Sequence, residues 1–582
     1  MISLDDRKFE ILQNTIYLIL VFIAFSLFII PLNILQNKII LPLAHLLYST
    51  HRVMQPDTLI LLKNALIKFR HLFLITVFFG GLLLALRRLL LFRLPLLNLQ
   101  KSSILPSNIK LYECFFLGLI GIIALLLRWQ GMGRELYYDE IYTLFNFVQK
   151  GTVWSSFFNL GSLNNHIGFS LLARLSVFLF GPAEWALRLP SLIIGMCSLI
   201  LFWIFVRRLL TAHVAIVALF LMAIFPIHVM ASVSARGYTG MVFFTILSTY
   251  LFWHLIRCPG SKYSTAYVIA NFLGVLFHFY FLTVIAAQGL MMMGMCLYQI
   301  VLRPKEPVIG RNAFTNIWKC FFITILCLIL FCAFIGSRLL VETLGGTGAP
   351  PRAGGSILPH LWDYFTQGWD SCWTKIIVFM FLLIGFISLW KKKRFLCFYA
   401  VVLLLVPMSL IALFITGERF FVFFVPFFIL ILTQGMAEIW NIRNVFSDRW
   451  LRYVYSFGVI FIFLNLTVGL AQKDLVAAHE NEGFRYAVRI VGEHANRQTA
   501  MCAIGDLSAI LVYYARYYSN YDVSLPKSTD EFYRLVSGAK TIYCFQFSKG
   551  NLTSKENNIA EYFRQKGTYS FFGRLKLFEI HV

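Results

Sequence analysis

Residues 188–208 read RLPSLIIGMCSLILFWIFVRR, an apolar run from Leu189 to Val206 interrupted only by Pro190, Ser191, Gly195 and Ser198 and closed by Arg207 and Arg208. At about 1.5 Å rise per residue, roughly 18 such residues form a helix of about 27 Å, close to the hydrocarbon thickness of a bilayer. Comparable runs fall near 13–35, 71–92, 111–129, 213–232, 238–257, 264–280, 281–302, 314–335, 374–391, 395–415, 420–440 and 453–471, making thirteen candidate spans. The 582 residues are 59% hydrophobic, 17% aromatic and 13% charged. A soluble core cannot bury that much apolar surface, so the chain is expected to be an all-α polytopic membrane protein.

Three regions follow. Residues 1–110 form an N-terminal membrane segment with two extra helices, and residues 111–472 form the main transmembrane domain. From about 473 the composition turns polar, and helix-like stretches (482–494, 506–517, 529–537, 556–566) alternate with strand-like ones (499–504, 540–546, 570–580). This predicts a small C-terminal extramembrane α/β domain at 473–582. The run at 13–35 is too long for a signal-peptide core and has no small-residue cleavage site after it, so it reads as a retained helix.

The net charge of +24 would suggest nucleic acid in a soluble chain. Here the basic residues cluster between apolar runs, as cytoplasmic loops do, and no nucleic acid partner is expected. Placing Arg87 and Arg88, Lys101 and Lys110, Arg207 and Arg208, Arg303 and Lys305, Lys391 to Arg394, and Arg443, Arg449 and Arg452 in the cytoplasm leaves one threading. It puts the loops around 36–70, 130–187, 233–237, 336–373 and 416–419, and the C-terminal tail, on the outer face. Residues 166–182, HIGFSLLARLSVFLFGP, would break this scheme as a span, and carry Arg174 at the centre, so they read as an interfacial helix. Most cysteines sit in or beside apolar runs as small hydrophobes, whereas Cys502 and Cys544 in the tail could pair in an oxidising compartment.

The threading gathers the scarce polar residues at one face. Asp139 and Glu140 follow the 111–129 span, Asn165 and His166 lie in the same loop, Arg236 lies in a short external turn with Tyr238 just after it, and His278 and Tyr280 occupy another turn. Arg419 joins them from a later loop, and Arg352 sits in GGTGAPPRAGG, 345–355, which reads either as a plain linker or as a lid. The spans themselves read as nearly free of charge. Tyr138, Tyr238 and His278 are also the residue types of an interfacial belt. Arg236 is a cation where the positive-inside trend disfavours one, so it needs an anionic partner such as a phosphate or Asp139.

Carboxylate plus arginines fit group transfer from a phosphate donor: the carboxylate takes the acceptor proton, and the arginines neutralise the departing phosphate. No P-loop or glycine-rich nucleotide motif is present, and nucleotide sugars are not available outside the cytoplasm. A lipid-linked sugar is then the natural donor. A divalent cation at Asp139 and Glu140 is an option, but two carboxylates do not complete a metal site, and no cofactor is assigned.

YYDEIYT (137–143), FGPAEWALRLPS (180–191), FPIHVMASVSARGY (225–238), HFYF (278–281) and ERFFVFFVPFFILIL (418–432), in this order, resemble the GT-C membrane glycosyltransferases. The similarity is greatest to the bacterial lipid A aminoarabinose transferases and the protein O-mannosyltransferases. The resemblance implies a GT-C-like fold, a polyprenyl-phosphate-linked sugar donor, and a glycan, lipid or protein acceptor. It also implies hexosyl or pentosyl transfer with inversion at the outer face of a bacterial inner membrane. Asp139 takes the place of the acidic residue near the reacting centre with Glu140 beside it, and Arg236 and Arg419 take phosphate or structural contacts. NNHIGFS at 164–170 departs from the family, where paired prolines often follow a lysine; His166 stands in that region. A lipid-linked sugar flippase and an O-antigen polymerase or ligase are the alternatives.

Overall fold

The computed structural model describes residues 109–149, 165–257, 261–302, 309–335, 357–411, 418–445, 448–479, 484–494, 499–504, 513–515, 539–547, 568–572 and 575–581, with single positions at 15 and 561. The candidate spans at 13–35 and 71–92, the glycine-rich segment 345–355 and Arg352 lie outside them. The helices of the main domain are α1 (Leu111–Met132), α2 (Tyr138–Thr143), α3 (Ile167–Phe180), α4 (Glu184–Leu209), α5 (Ala212–Ala223), α6 (Pro226–Ser232), α7 (Tyr238–Arg257) and α8 (Ser261–Phe277). They continue with α9 (Leu282–Leu302), α10 (Arg311–Ile335), α11 (Ile357–Phe365), α12 (Cys372–Ile411), α13 (Val425–Ile442) and α14 (Arg449–His479). Among the described residues seven helices are long and apolar enough to cross a membrane, or eight if one bent pair is a single span. The chain is an integral membrane protein.

Three departures from the sequence expectation have local causes. The run 213–232 is a bent pair, α5 and α6 turning by 60°, because Pro226 has no N–H to continue the ladder. The run 374–391 and the described part of 395–415 belong to α12, broken at Lys393 (φ −140°, ψ 50°). And α14 continues to His479, beyond the expected polar boundary at 473. Helix α3, at 14 residues, is too short to span, and it exposes Leu175, Phe178 and Leu179 along one side while burying Phe169 and Ala173. Arg174 donates to the Phe147 carbonyl (3.2 Å).

Helix packing relies on small residues and buried polar links. A Cβ at Gly435 would collide with the Phe381 carbonyl, and one at Gly385 with the Ile431 carbonyl, so these two glycines let α12 and α13 touch backbone to backbone. Ser248 donates to Asn271 (2.6 Å), Tyr267 to Gln288 (2.6 Å) and Gln288 back to Ser248 (2.9 Å), tying α7, α8 and α9.

One end of the bundle carries the basic clusters Arg207–Arg208, Lys391–Arg394 and Arg443. Glu113 near the start of α1 pairs with Arg207 at the end of α4 (2.8 Å), and Glu438 late in α13 pairs with Lys392 (2.7 Å). The opposite ends of α1, α4 and α13 carry Met132, Arg188 and Phe424–Val425, and there the loop polar residues collect.

Beyond α14, helix α15 (Phe484–His494) buries Ala487, Val488 and Val491. Four strands, β1 (Thr499–Ile504), β2 (Thr541–Phe547), β3 (Thr568–Phe572) and β4 (Leu575–His581), form one sheet in the order β1-β2-β4-β3. β1 and β2 are parallel and the other pairs antiparallel, so the expected strand 570–580 is a hairpin. Cys502 and Cys544 sit opposite each other in the β1–β2 register as buried free thiols.

Candidate functional site

The site begins with a loop that has no regular structure, Gly133 to Tyr137, between α1 and α2. Arg188, near the start of α4, holds it from inside. Its Nε and Nη2 reach the two Glu140 oxygens (2.9 and 2.6 Å), Nη2 also reaches the Glu135 carbonyl (2.9 Å), and Nη1 reaches those of Arg134 (2.6 Å) and Met132 (3.1 Å). Every N–H of the guanidinium thereby has an acceptor, a fork geometry that lysine does not offer.

Glu140 is equally committed. Besides Arg188 it accepts from the Ala235 N–H (2.6 Å) and, reaching back along α2 as a capping residue does, from the Tyr137 N–H (3.0 Å). Burial pushes its carboxyl up, but the charge and hydrogen bonds of Arg188, with Arg134 and the Ala235 N–H, outweigh this and leave it below its ordinary value. A fully enclosed, ionised and saturated carboxylate anchors the loop to the 233–237 turn. Its neighbour Asp139 has the opposite placement: partly exposed, with Oδ2 3.1 Å from Nη1 of Arg419. The donor set does not fit a cation at Asp139 and Glu140, since the Glu140 oxygens are taken by N–H groups. Among the described residues no group of three metal-ligating side chains occurs.

The 233–237 turn is aimed by the break between α5 and α6. Arg128, fully buried in α1, donates to the Ala223 carbonyl at that break (2.8 Å) and to Nδ1 of His228 (2.7 Å). An arginine only donates, so His228 carries its proton on Nε2 and gives it to Ser198 (2.8 Å), which donates to the Gly195 carbonyl (2.7 Å). The expectation of nearly charge-free spans is corrected here: a buried arginine donates to the Ala223 carbonyl at the break. Arg236 then projects inward, buried, with Nη1 3.4 Å from Thr143 Oγ1 and its guanidinium 6.0 Å from the Tyr238 ring. Gly237 is required next to it, since a Cβ there would strike the Phe277 carbonyl and His166.

His166 and His278 meet in this space with ring centroids 4.7 Å apart, and Tyr238 lies 5.7 and 5.4 Å from them. Tyr280 packs on Phe420 (5.5 Å), beside Arg419. His166 Nδ1 faces the Phe277 carbonyl (3.1 Å), so it must carry the proton and Nε2 keeps a lone pair. His278 Nδ1 accepts from the Tyr280 N–H (3.2 Å), so its proton is on Nε2. Both Nε2 atoms and the Tyr238 hydroxyl are buried without a partner among the described residues. Burial, then the charge of Arg236, lowers both imidazoles, His166 well below its ordinary 6.5 and His278 to about 3, with Arg419 adding to the effect. The two rings are therefore neutral and present one acceptor and one donor side by side.

Six of the expected residues, Asp139, His166, Arg236, Tyr238, His278 and Arg419, thus lie around one locus with Tyr280 at its edge, while Glu140 points away into the Arg188 clamp. Sequence reading gave no role to Arg188, Arg128 or His228. Arg188 stood in the quoted motif 180–191, but nothing in the string distinguishes an arginine that grips a loop from one that anchors a helix end.

Residues 166–335 match the family model described as dolichyl-phosphate-mannose-protein mannosyltransferase. No curated protein matches the sequence. Among solved structures, the apo crystal structure of ArnT from Cupriavidus metallidurans is similar over 80% of this chain and 97% of that one, at 11% identity and a TM-score of 0.49. The oligosaccharyltransferase AglB from Archaeoglobus fulgidus, in complex with an inhibitory peptide and a dolichol-phosphate, is similar over 80% and 74%, at 12% identity and 0.46. The arabinosyltransferase EmbB from Mycobacterium smegmatis is similar over 78% and 46%, at 11% and 0.39. Over residues 166–335 the match to that family model thus meets independently the resemblance to the GT-C membrane glycosyltransferases that the motifs carry.

Proposed function

We propose that this protein transfers a sugar, a hexose or a pentose, from a polyprenyl-phosphate carrier to a hydroxyl of a cell-envelope acceptor, whether lipopolysaccharide, another glycan or a protein. The reaction runs at the outer face of a bacterial inner membrane, opposite the basic end of the bundle, with the C-terminal domain on the same side. The observation that carries this reading is the Asp139–Arg419 pair beside Arg236 and the two imidazoles, a carboxylate and two cations at one end of a membrane domain. The acceptor oxygen attacks the anomeric carbon as the carbon–oxygen bond to phosphate breaks, and its proton passes to Asp139. The phosphate leaves with the electron pair, its charge met by Arg419 and Arg236, and a single displacement inverts the anomeric centre. The neutral His166 and His278, one acceptor and one donor, suit a sugar hydroxyl, which does both.

Asp139→Asn is expected to abolish transfer from a labelled polyprenyl-phosphate sugar in membranes that contain normal amounts of the protein; unchanged transfer would sink the assignment. Envelope glycans and lipid-linked sugars analysed by mass spectrometry in a deletion strain identify the donor as the carrier that accumulates. A flippase would move labelled carrier across proteoliposomes without covalent transfer. Against that reading, the buried Arg128–His228–Ser198 chain spends its groups on holding a helix break.

A further inference from the structure

The loop gripped from inside by Arg188 is also gripped from outside, by residues some 350 positions later. The Arg485 backbone N–H donates to Glu135 Oε1 (2.7 Å), and its Nη2 donates to the Gly133 carbonyl (2.9 Å) and to Glu184 Oε1 (2.6 Å). Tyr514, fully buried, accepts the Leu136 N–H on its hydroxyl (2.7 Å). Next to it, Tyr513 donates to the Pro182 carbonyl (2.9 Å) and packs edge-on against Phe145 (6.3 Å). Successive backbone groups of the loop are thereby divided between the two regions, the outer ones held by the C-terminal segment and the inner ones by α4: Gly133 O by Arg485, Arg134 O and Glu135 O by Arg188, and Leu136 N–H by Tyr514. The loop has no ladder of its own, so these side chains decide where α2, and Asp139 on it, begins.

We propose that Arg485 and Tyr514 are positioning residues that set Asp139 against Arg419, which makes the C-terminal segment part of the scaffold of the reaction site. Neither residue touches the reacting groups; each acts through the loop. This rests on the reading of Asp139 as the proton acceptor, but the placement itself is measurable without a substrate.

Hydrogen exchange on the full-length protein in nanodiscs is the test. Tyr514→Phe keeps the ring and removes the acceptor, so the Leu136 amide is expected to exchange about tenfold faster, the effect of one buried hydrogen bond. Arg485→Ala should loosen residues 133–139 likewise, and Arg485→Lys should restore part of the protection through its contact with Glu184. Exchange across 133–139 that is unchanged in both Tyr514→Phe and Arg485→Ala overturns the inference. With polyprenyl-phosphate mannose or polyprenyl-phosphate aminoarabinose as donor, both variants are expected to lower kcat at nearly constant donor KM, and a raised KM with unchanged kcat counts against positioning. Wild-type protein that transfers from neither donor counts against the glycosyltransferase reading instead, and leaves the exchange result to decide the clamp.

Discussion

Replacing Arg188 by lysine keeps the charge and loses the fork, and the structure sets the size of the effect. The guanidinium serves both Glu140 oxygens and the carbonyls of Met132, Arg134 and Glu135. One ammonium has three N–H groups at a single point, so at least two of these five charge-assisted hydrogen bonds are lost in a buried setting. At about 1.5–3 kcal/mol for each hydrogen bond to a charged group, the change costs about 3–6 kcal/mol. Arg188→Met removes the counter-charge as well and is expected to cost about 3–5 kcal/mol or more, because the Glu140 carboxylate is then buried alone. Neutralising it in the double variant Arg188→Met, Glu140→Gln should recover part of that loss. The assay is a double-mutant cycle on thermal unfolding in nanodiscs, with folded yield as a second readout. Arg188→Lys unfolding at the wild-type temperature, or a cycle whose coupling lies within about 0.5 kcal/mol of zero, would refute the clamp.

The remaining predictions concern neighbouring features. Gly435→Ala forces α13 away from α12 and is expected to lower folded yield sharply, whereas Gly458→Ala, which meets nothing within 4 Å, should not; equal yields would contradict the backbone-to-backbone contact. Arg128→Met leaves the Ala223 carbonyl and His228 without their donor, with an expected loss of about 2–6 kcal/mol, read as a drop in unfolding temperature. For pH, His278 is held at about 3 against an ordinary 6.5, so the unfolded chain takes up protons first as the medium is acidified. Stability from this group is therefore full above about pH 6.5 and lost progressively down to about pH 3. Glu140, also depressed, adds its own loss as pH falls below the ordinary carboxylate range. Unfolding temperatures from pH 8 to 4 should fall, and His278→Gln should flatten the upper part of the curve; a profile identical to wild type would argue that His278 is not buried neutral.

Sequence alone determined the membrane class, since lipid offers the backbone no hydrogen bonds and every apolar run of spanning length has to become a helix. Seven of the described helices, or eight with the bent pair, are spans of this kind, fewer than the runs expected from 111–129 to 453–471, and charge placement brought Asp139, His166, Arg236, Tyr238, His278 and Arg419 to the same end of the chain's threading. Tertiary structure alone decided which of those charges hold the loop and which stand at the open locus beside the two imidazoles. Asp139 and Glu140 are adjacent letters of the same kind, and a helix turn points one toward Arg419 and buries the other in the grip of Arg188. The partners that make this difference come from α4, from the 233–237 turn and from the C-terminal segment. Contacts over such separations depend on side-chain direction in a packed bundle, which neither composition nor hydrophobic period encodes. The Arg188 that opens the run at 188–208 shows it: its letter marks the end of a span, and only packing made it the holder of the loop.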